Sequence, residues 1–244
     1  MKRFLLICVT YHSDNELHAF VESVLHAAEC VKGRMEVDIE VADNGQDNKG
    51  YFGGALPIYN AKAKEYDYVS ISNVDLQLSE NFFEQLLTVD TTKIGWIAPD
   101  IFTDKIDRHE NPYLLSRPKK RNFAIWNIIY SSTFIYRLYH RLYLLKSRQT
   151  KIYPACEIYA GHGSFMLFTN NFVTKNVEIH FPGFMYGEEI YMAELTRKAG
   201  LQVHYVPTLR ITNIGNINTG LINQAQKSKW SKASLHAIYK EFFE

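Results

Sequence analysis

Three carboxylate positions in this chain could do chemistry, and each stands where an element of regular structure should begin or end. Asp75 closes the triplet Asn73-Val74-Asp75 directly after Tyr68-Val69-Ser70-Ile71-Ser72, a β-branched and aromatic run that predicts a short buried strand. Asp43 opens Asp43-Asn44-Gly45 after the strand-like residues 37–42. The third position is the pair Glu188-Glu189, set between Gly187 and the helical segment IYMAELTRKAG. In open α/β sheets ligands bind outside the C-terminal ends of the strands, which is where Asp43 and Asp75 should lie. Adjacent acids at a helix start have two readings, a proton acceptor or a charge favoured by the helix dipole.

Among the elements that must position these acids, residues 4–9 (FLLICV) form a continuous apolar strand of the kind buried on both faces of a parallel sheet. Ser13 or Asp14 can cap the helix after it, with Leu17, Phe20, Val21, Val24 and Leu25 at helical spacing. Strand, helix and strand then repeat, and right-handed crossovers bring Asp43 and Asp75 to the same sheet edge. Between them, Gly50, Gly53 and Gly54 in NKGYFGGA allow close backbone approach to a ligand, with a helix expected to start near Ala55. The segment is neither a Walker A motif nor a GxGxxG dinucleotide fingerprint. Residues 94–102 read as a further strand with a Pro-containing turn after it, and residues 158–168 as strand-like around Gly161 and Gly163. His162 between them suits either a turn or a contact to an acceptor. Gly200 closes the helix that Glu188 opens, and residues 201–207 form a strand.

The composition excludes several classes. With 46% hydrophobic and 22% charged residues the chain is not disordered, and 27 basic against 26 acidic residues gives no overall pull toward nucleic acid. Cys8, Cys30 and Cys156 are odd in number and lack a CxxC pair, which argues against a disulfide framework or zinc site. The apolar run behind Met1-Lys2-Arg3 is too short for a signal peptide or a span, so the expected location is cytoplasmic. Charge is nevertheless uneven. Residues 111–156 contain no Asp or Glu but nine basic residues, Arg117, Lys119, Lys120, Arg121, Arg137, Arg141, Lys146, Arg148 and Lys151, interleaved with nine aromatics. Part of this excursion is helical by period, with Ile135, Leu138, Leu142 and Leu145 on one face and Arg137, Arg141 and Arg148 on another. Such a helix either lies on an anionic membrane at the cytoplasmic face or packs with its basic face solvated or turned to an acceptor. The C-terminal residues from 216 onward suggest a terminal amphipathic helix, docked on the body or joined to that basic surface.

Taken in order, VTYHSD, VADNG, NKGYFGGA, DYVSISNVDLQL and FPGFMYGEEIYMAELTRKAG resemble family 2 glycosyltransferases with a GT-A fold, a group that includes rhamnosyltransferase-like enzymes of bacterial surface polysaccharide synthesis. The resemblance implies an α/β fold with a mostly parallel, Rossmann-like central sheet flanked by helices. It implies a single domain over 1–244, with a nucleotide-sugar half at 1–105, the basic excursion at 106–156, an acceptor and catalytic half at 157–215, and a helical tail at 216–244. On the donor side it assigns Thr10 and Tyr11 to the nucleoside loop, Asp43 with Asn44 to the nucleobase, and Gly50, Gly53 and Gly54 to the segment around the donor. Asn73 and Asp75 match the motif that holds a divalent metal, Mn2+ or Mg2+, on the diphosphate. Glu189 takes the base role and Glu188 acceptor binding, with exchange between the two left open; His162 falls on the acceptor side. The departure is Asn213, which stands where family members often carry a histidine, in some cases a metal ligand; it is the second candidate metal ligand beside Asp75, although an amide oxygen is a weaker ligand for a hard cation than a carboxylate.

These features predict an inverting transferase that moves a sugar from a UDP- or dTDP-linked donor to a hydroxyl of a glycan, which could be lipid-linked, with no nucleic-acid partner. Two alternatives stand beside it: a non-catalytic GT-A-like protein that binds a glycan or a membrane assembly, and a sugar-phosphate nucleotidyltransferase. The latter would want basic residues in a Gly-rich loop after the first strand, which VTYHSDNELH lacks.

Overall fold

The structure, a computed structural model, describes residues 1–146, 152–215 and 223–244. In chain order the first half comprises β1 (Lys2–Thr10), α1 (Asp14–Glu29), β2 (Met35–Asp43), α2 (Tyr51–Lys62), β3 (Tyr68–Asn73), β4 (Leu76–Leu78), α3 (Phe82–Leu87), β5 (Ile94–Thr103) and β6 (Arg108–His109). The second half adds α4 (Lys120–Ile129), α5 (Thr133–Lys146), β7 (Cys156–Ile158), β8 (Phe165–Thr169), α6 (Asn170–Lys175), α7 (Glu188–Lys198), β9 (Gln202–Asn213) and α8 (Gln224–Phe242).

The apolar run of β1 is buried on both faces, as its composition predicts. Phe4, Leu6 and Cys8 pack with Phe20 and Val24 of α1 and with Phe82 and Phe83 of α3, while Leu5 and Ile7 meet Phe52, Leu56 and Tyr59 of α2 on the other side. This two-residue alternation places one helical layer on each face of the sheet. The strand order is β2-β1-β3-β8-β5-β9-β4, with β6 beside β5 and β7 beside β9. Strands β2, β1 and β3 are mutually parallel, as are β5 and β9, and β8 is inserted antiparallel between the two groups. Register brings the strand ends together: Thr10 pairs with Asp43, Val9 with Asn73, and Asn213 with both Leu76 and Thr103.

Four local expectations are corrected. Helix α2 begins at Tyr51, four residues before Ala55, so Gly53 and Gly54 are helical and of the three glycines only Gly50 has positive φ, at 78°. Pro99 lies inside β5 rather than in a turn after it; a register shift between Pro99 and Asp100 accommodates the missing N–H. Residues 158–168 are not one strand but the end of β7, a crossing segment and most of β8. On α1 the buried positions are Phe20, Val24 and Ala27, whereas Leu25 faces solvent. Arg148 and Lys151 lie outside the described residues, as do the side chains of Leu142, Leu145 and Lys146.

The C-terminal helix docks on the body. Ser234 of α8 donates to the Met185 carbonyl at 3.0 Å, and Tyr239 and Phe243 pack on Phe123 of α4. A fully buried carboxylate, Glu194 of α7, binds the rest of this side together. It accepts Arg117 at 2.7 and 3.1 Å, Arg197 at 2.8 and 3.0 Å and the Tyr159 hydroxyl at 2.8 Å. Burial alone would raise the Glu194 pKa, but these hydrogen bonds and the Arg117 charge outweigh it and hold the group below its usual value.

Gly50 is the tightest backbone position near the sheet edge. A Cβ there would lie 2.1 Å from the Phe184 carbonyl oxygen, and the residue has left-handed φ. Gly50→Ala is therefore expected to destabilise the fold by roughly 2–5 kcal/mol, from backbone strain plus overpacking. A thermal unfolding scan should show a fall in Tm of about 5–20 °C.

Candidate active site

The site is built at the shared C-terminal edge of β1, β2 and β3. Thr10 is buried there, and its hydroxyl has no hydrogen-bond partner among the described residues. Tyr11, next along, is exposed with its ring 4.4 Å from that of His12. Asp43 is exposed and accepts the Gly45 N–H at 2.8 Å, which fixes the turn out of β2. Asn44 is buried, and its amide donates to the Gly50 carbonyl at 3.0 Å while its side chain lies against Gly54. Asn44 therefore staples the start of α2 to the end of β2. Gly53 and Gly54 lie inside α2, not in a free loop.

Asn73 ends β3 and donates its N–H to the Ser164 carbonyl at 2.8 Å, tying the triplet to the segment before β8. Asp75 follows in the short link to β4. Burial raises its pKa despite its own backbone N–H and the more distant charges of His162 and Lys105. His162 is held in place: its N–H donates to Asn111 Oδ1 at 2.8 Å, its Nδ1 is 2.9 Å from Ser164 Oγ, and its ring stands edge-on to Tyr113. Asn213 lies across from Leu76 in the ladder, and its Oδ1 accepts the Gly215 N–H at 2.9 Å.

The opposite wall is the start of α7. Tyr186 and Gly187 both have positive φ, 70° and 93°, and turn the chain so that Glu188 and Glu189 open the helix. Gly187 is required twice over, because a Cβ there would meet Ile238 of α8 at 2.8 Å. Glu188 is buried and accepts the Tyr186 N–H at 3.0 Å. Glu189 is half-buried, and its carboxylate lies against Gly163, where a Cβ would come within 2.7 Å of Oε1. Burial and then the neighbouring Glu189 charge push Glu188 from the usual 4.5 to about 8.

This raised pKa has a consequence for stability. A folded-state pKa above the unfolded value favours the fold in full below about 4.5, and the benefit is lost as pH rises through 8. Wild-type stability should therefore decline over this interval by roughly a few kcal/mol, since each tenfold difference in proton affinity between the folded and unfolded chains is worth ~1.4 kcal/mol. Glu188→Gln should remove that decline, which denaturant unfolding at pH 4.5, 6 and 8 would measure.

Tyr51, the first residue of α2, joins the two walls. Its hydroxyl is shielded from solvent with no hydrogen-bond partner among the described residues, and it lies within electrostatic reach of Glu188, Glu189 and Asp75. Burial, followed by Glu188 and Glu189, holds the phenol well above its usual range, so it is a fixed donor. Sequence reasoning missed Tyr51 because it was read as part of a glycine loop, and missed Gly163 as the floor under Glu189. Buried polar atoms without partners are costly; among the described residues they belong to Thr10, Tyr51, Ser70, Trp96, Tyr186 and His204, of which Thr10, Tyr51 and Tyr186 stand at this site, where a ligand could complete the bonding.

No cluster of three or more His, Cys, Asp or Glu able to hold a metal occurs among the described residues. A hard cation at this edge would need a different arrangement, in which Asp75 could supply one oxygen and a bound phosphate group the others, since Mg2+-like ions are commonly held by one or two carboxylates plus substrate phosphates.

No protein-family model matches the chain, and no curated protein matches it in sequence. Solved structures do resemble it in fold. The catalytic domain of Drosophila beta1,4galactosyltransferase 7, in complex with xylobiose, superposes with a TM-score of 0.53 at 14% identity, covering 94% of this chain and 80% of that one. GalNAc-T7 with UDP, GalNAc and Mn2+ gives 0.55 at 13% identity, over 89% of this chain and 44% of that one. A197 from STIV gives 0.50 at 14% identity, over 88% and 87%. The two transferases are of GT-A type, and the chain has that fold, a central mostly parallel sheet flanked by helices.

Proposed function

We propose that this sheet edge, with the start of α7, is the active site of an inverting glycosyltransferase that moves a sugar from a UDP- or dTDP-linked donor to a hydroxyl of a glycan acceptor. The observation that carries the reading is the buried Tyr51 hydroxyl, without a partner among the described residues and within electrostatic reach of Glu188, Glu189 and Asp75. The nucleoside would lie along the ends of β1 and β2, where Thr10, Tyr11 and Asp43 stand, and the diphosphate beside Asn73 and Asp75. The likeness to enzymes whose structures contain UDP with Mn2+, or a xylobiose, supports this choice of donor and acceptor class.

Glu189 is the base in this scheme. It is accessible, whereas Glu188 is buried and engaged with the Tyr186 N–H. It takes the acceptor proton as the hydroxyl oxygen attacks the anomeric carbon from the side opposite the leaving diphosphate. Glu188 fixes the left-handed turn that aims its neighbour, and the Tyr51 phenol offers a hydrogen bond to donor or acceptor oxygens. Asp75 would hold a divalent cation, Mn2+ or Mg2+, whose charge offsets that of the leaving group when bound.

Turnover tests the reading. Incubation with UDP- and dTDP-sugars, manganese and oligosaccharide acceptors should release the nucleoside diphosphate, with the transferred sugar inverted at the anomeric carbon by proton NMR. Release of pyrophosphate from a nucleoside triphosphate and a sugar phosphate would instead assign a nucleotidyltransferase. Absence of turnover with every donor would favour a non-catalytic glycan-binding role.

A further inference from the structure

Within the acid-free segment 111–156, residues 120–146 form two helices, α4 and α5, joined by a short turn, and these helices bury only part of their apolar surface. On α4, Phe123 and Ile129 are buried, with Phe123 packed against Tyr239 and Phe243 at the C-terminal end of the chain. Ile125 and Ile128 of the same helix are 51% and 61% exposed, and on α5 Phe134 is 76% and Leu138 51% exposed. Nine of the fifteen large exposed hydrophobic residues among the described residues fall within 111–156, under a fifth of the chain, so the exposure is concentrated rather than scattered. Around it stand the exposed cations Arg121, Arg137 and Arg141.

Charge separates this segment from the rest of the chain. The segment carries nine basic residues and no acid, and the remaining residues carry 18 basic against 26 acidic. A cavity of about 260 Å³ between α4 and α8 lies beside this segment, with Lys120, Lys232 and Lys240 around Phe123 and Tyr239 and Glu244 as the one acid in its lining. Aliphatic side chains among arginines suit a surface that is apolar inside and anionic outside, and a nucleic-acid backbone gives aliphatic groups nothing to bury against. No helix among the described residues is long and apolar enough to cross a membrane, so contact would be in the plane of the surface.

We propose that the α4–α5 face docks on an anionic lipid bilayer, with Ile125, Ile128, Phe134 and Leu138 entering the headgroup boundary and Arg121, Arg137 and Arg141 meeting acidic lipid headgroups. The proposal does not depend on the transferase reading, because none of these residues belongs to that site.

Sedimentation of the full chain with phosphatidylcholine vesicles, with and without 30 mol% phosphatidylserine, tests it. The expected result is co-sedimentation with the acidic vesicles only, weakened by high salt. Phe134→Glu, and separately Arg121→Gln with Arg141→Gln, should reduce the partition coefficient by roughly 10-fold or more, whereas Leu25→Glu, at an exposed apolar site on α1, should change nothing. Because the replaced side chains are exposed, thermal unfolding of each variant should match wild type. Equal binding to neutral vesicles, no binding to acidic ones, or binding indifferent to the α4–α5 variants would overturn the proposal. So would self-association in sedimentation velocity that Phe134→Glu abolishes, which would assign the face to a second copy of the chain.

Discussion

Glu189→Gln should lower sugar transfer by roughly 10²- to 10⁴-fold, the range a carboxylate base contributes, while leaving nucleotide affinity within about twofold. The expectation follows from position. Glu189 opens α7 against Gly163, on the opposite wall from the strand ends at Thr10, Asp43 and Asp75 that would receive the donor. Glutamine keeps the shape over Gly163 and cannot accept a proton to become neutral acid. Steady-state rates paired with a nucleotide titration separate the two effects. A variant that loses nucleotide affinity as well would place the side chain on the donor instead, and equal loss in Glu188→Gln with normal Glu189→Gln would exchange the two roles.

The second large effect is expected at Asp75. Asp75→Ala should cut turnover by roughly 10²- to 10³-fold, the scale seen when one electrostatic stabiliser of a developing charge is removed, and nucleotide binding should lose its dependence on manganese. Asp75 is the position from which this is expected because its ion-holding partners would come mainly from the ligand: the described residues contain no three-acid or histidine cluster to compensate. Calorimetry with and without manganese on the variant checks it. Retained manganese dependence would move the cation elsewhere along the edge.

Much of the sheet was legible because strand burial is written in short-range composition. The unbroken apolar run of β1 and the β-branched run of β3 both emerged as buried neighbours, in the expected parallel pairing. The two acids at α7 were legible as a helix start for the same local reason. Errors arose where a residue type has two uses. Gly53 and Gly54 suggested a loop, yet both are helical, and the missing side chain of Gly54 lets α2 approach Asn44. Pro99 suggested a turn, but β5 tolerates it at a register shift.

What sequence could not supply depends on contacts between distant residues. Arg117 and Glu194 are 77 positions apart, and only the folded chain shows that this pair, with Tyr159, fixes α7 from behind. The docking of α8 beneath Gly183 and Gly187 is of the same kind, since Ser234 and Ile238 fill the space a side chain would take at those positions. Tyr51 belongs with them: its hydroxyl is buried with no partner among the described residues, and no spacing rule reveals that.

Direct titration of UDP and of dTDP into the wild-type chain, each with and without manganese, is the measurement closest to the central claim that this sheet edge is a sugar-nucleotide site. Saturable binding of at least one of the two, strengthened by manganese, is the expected result. Failure of both nucleotides to bind in either condition would contradict it.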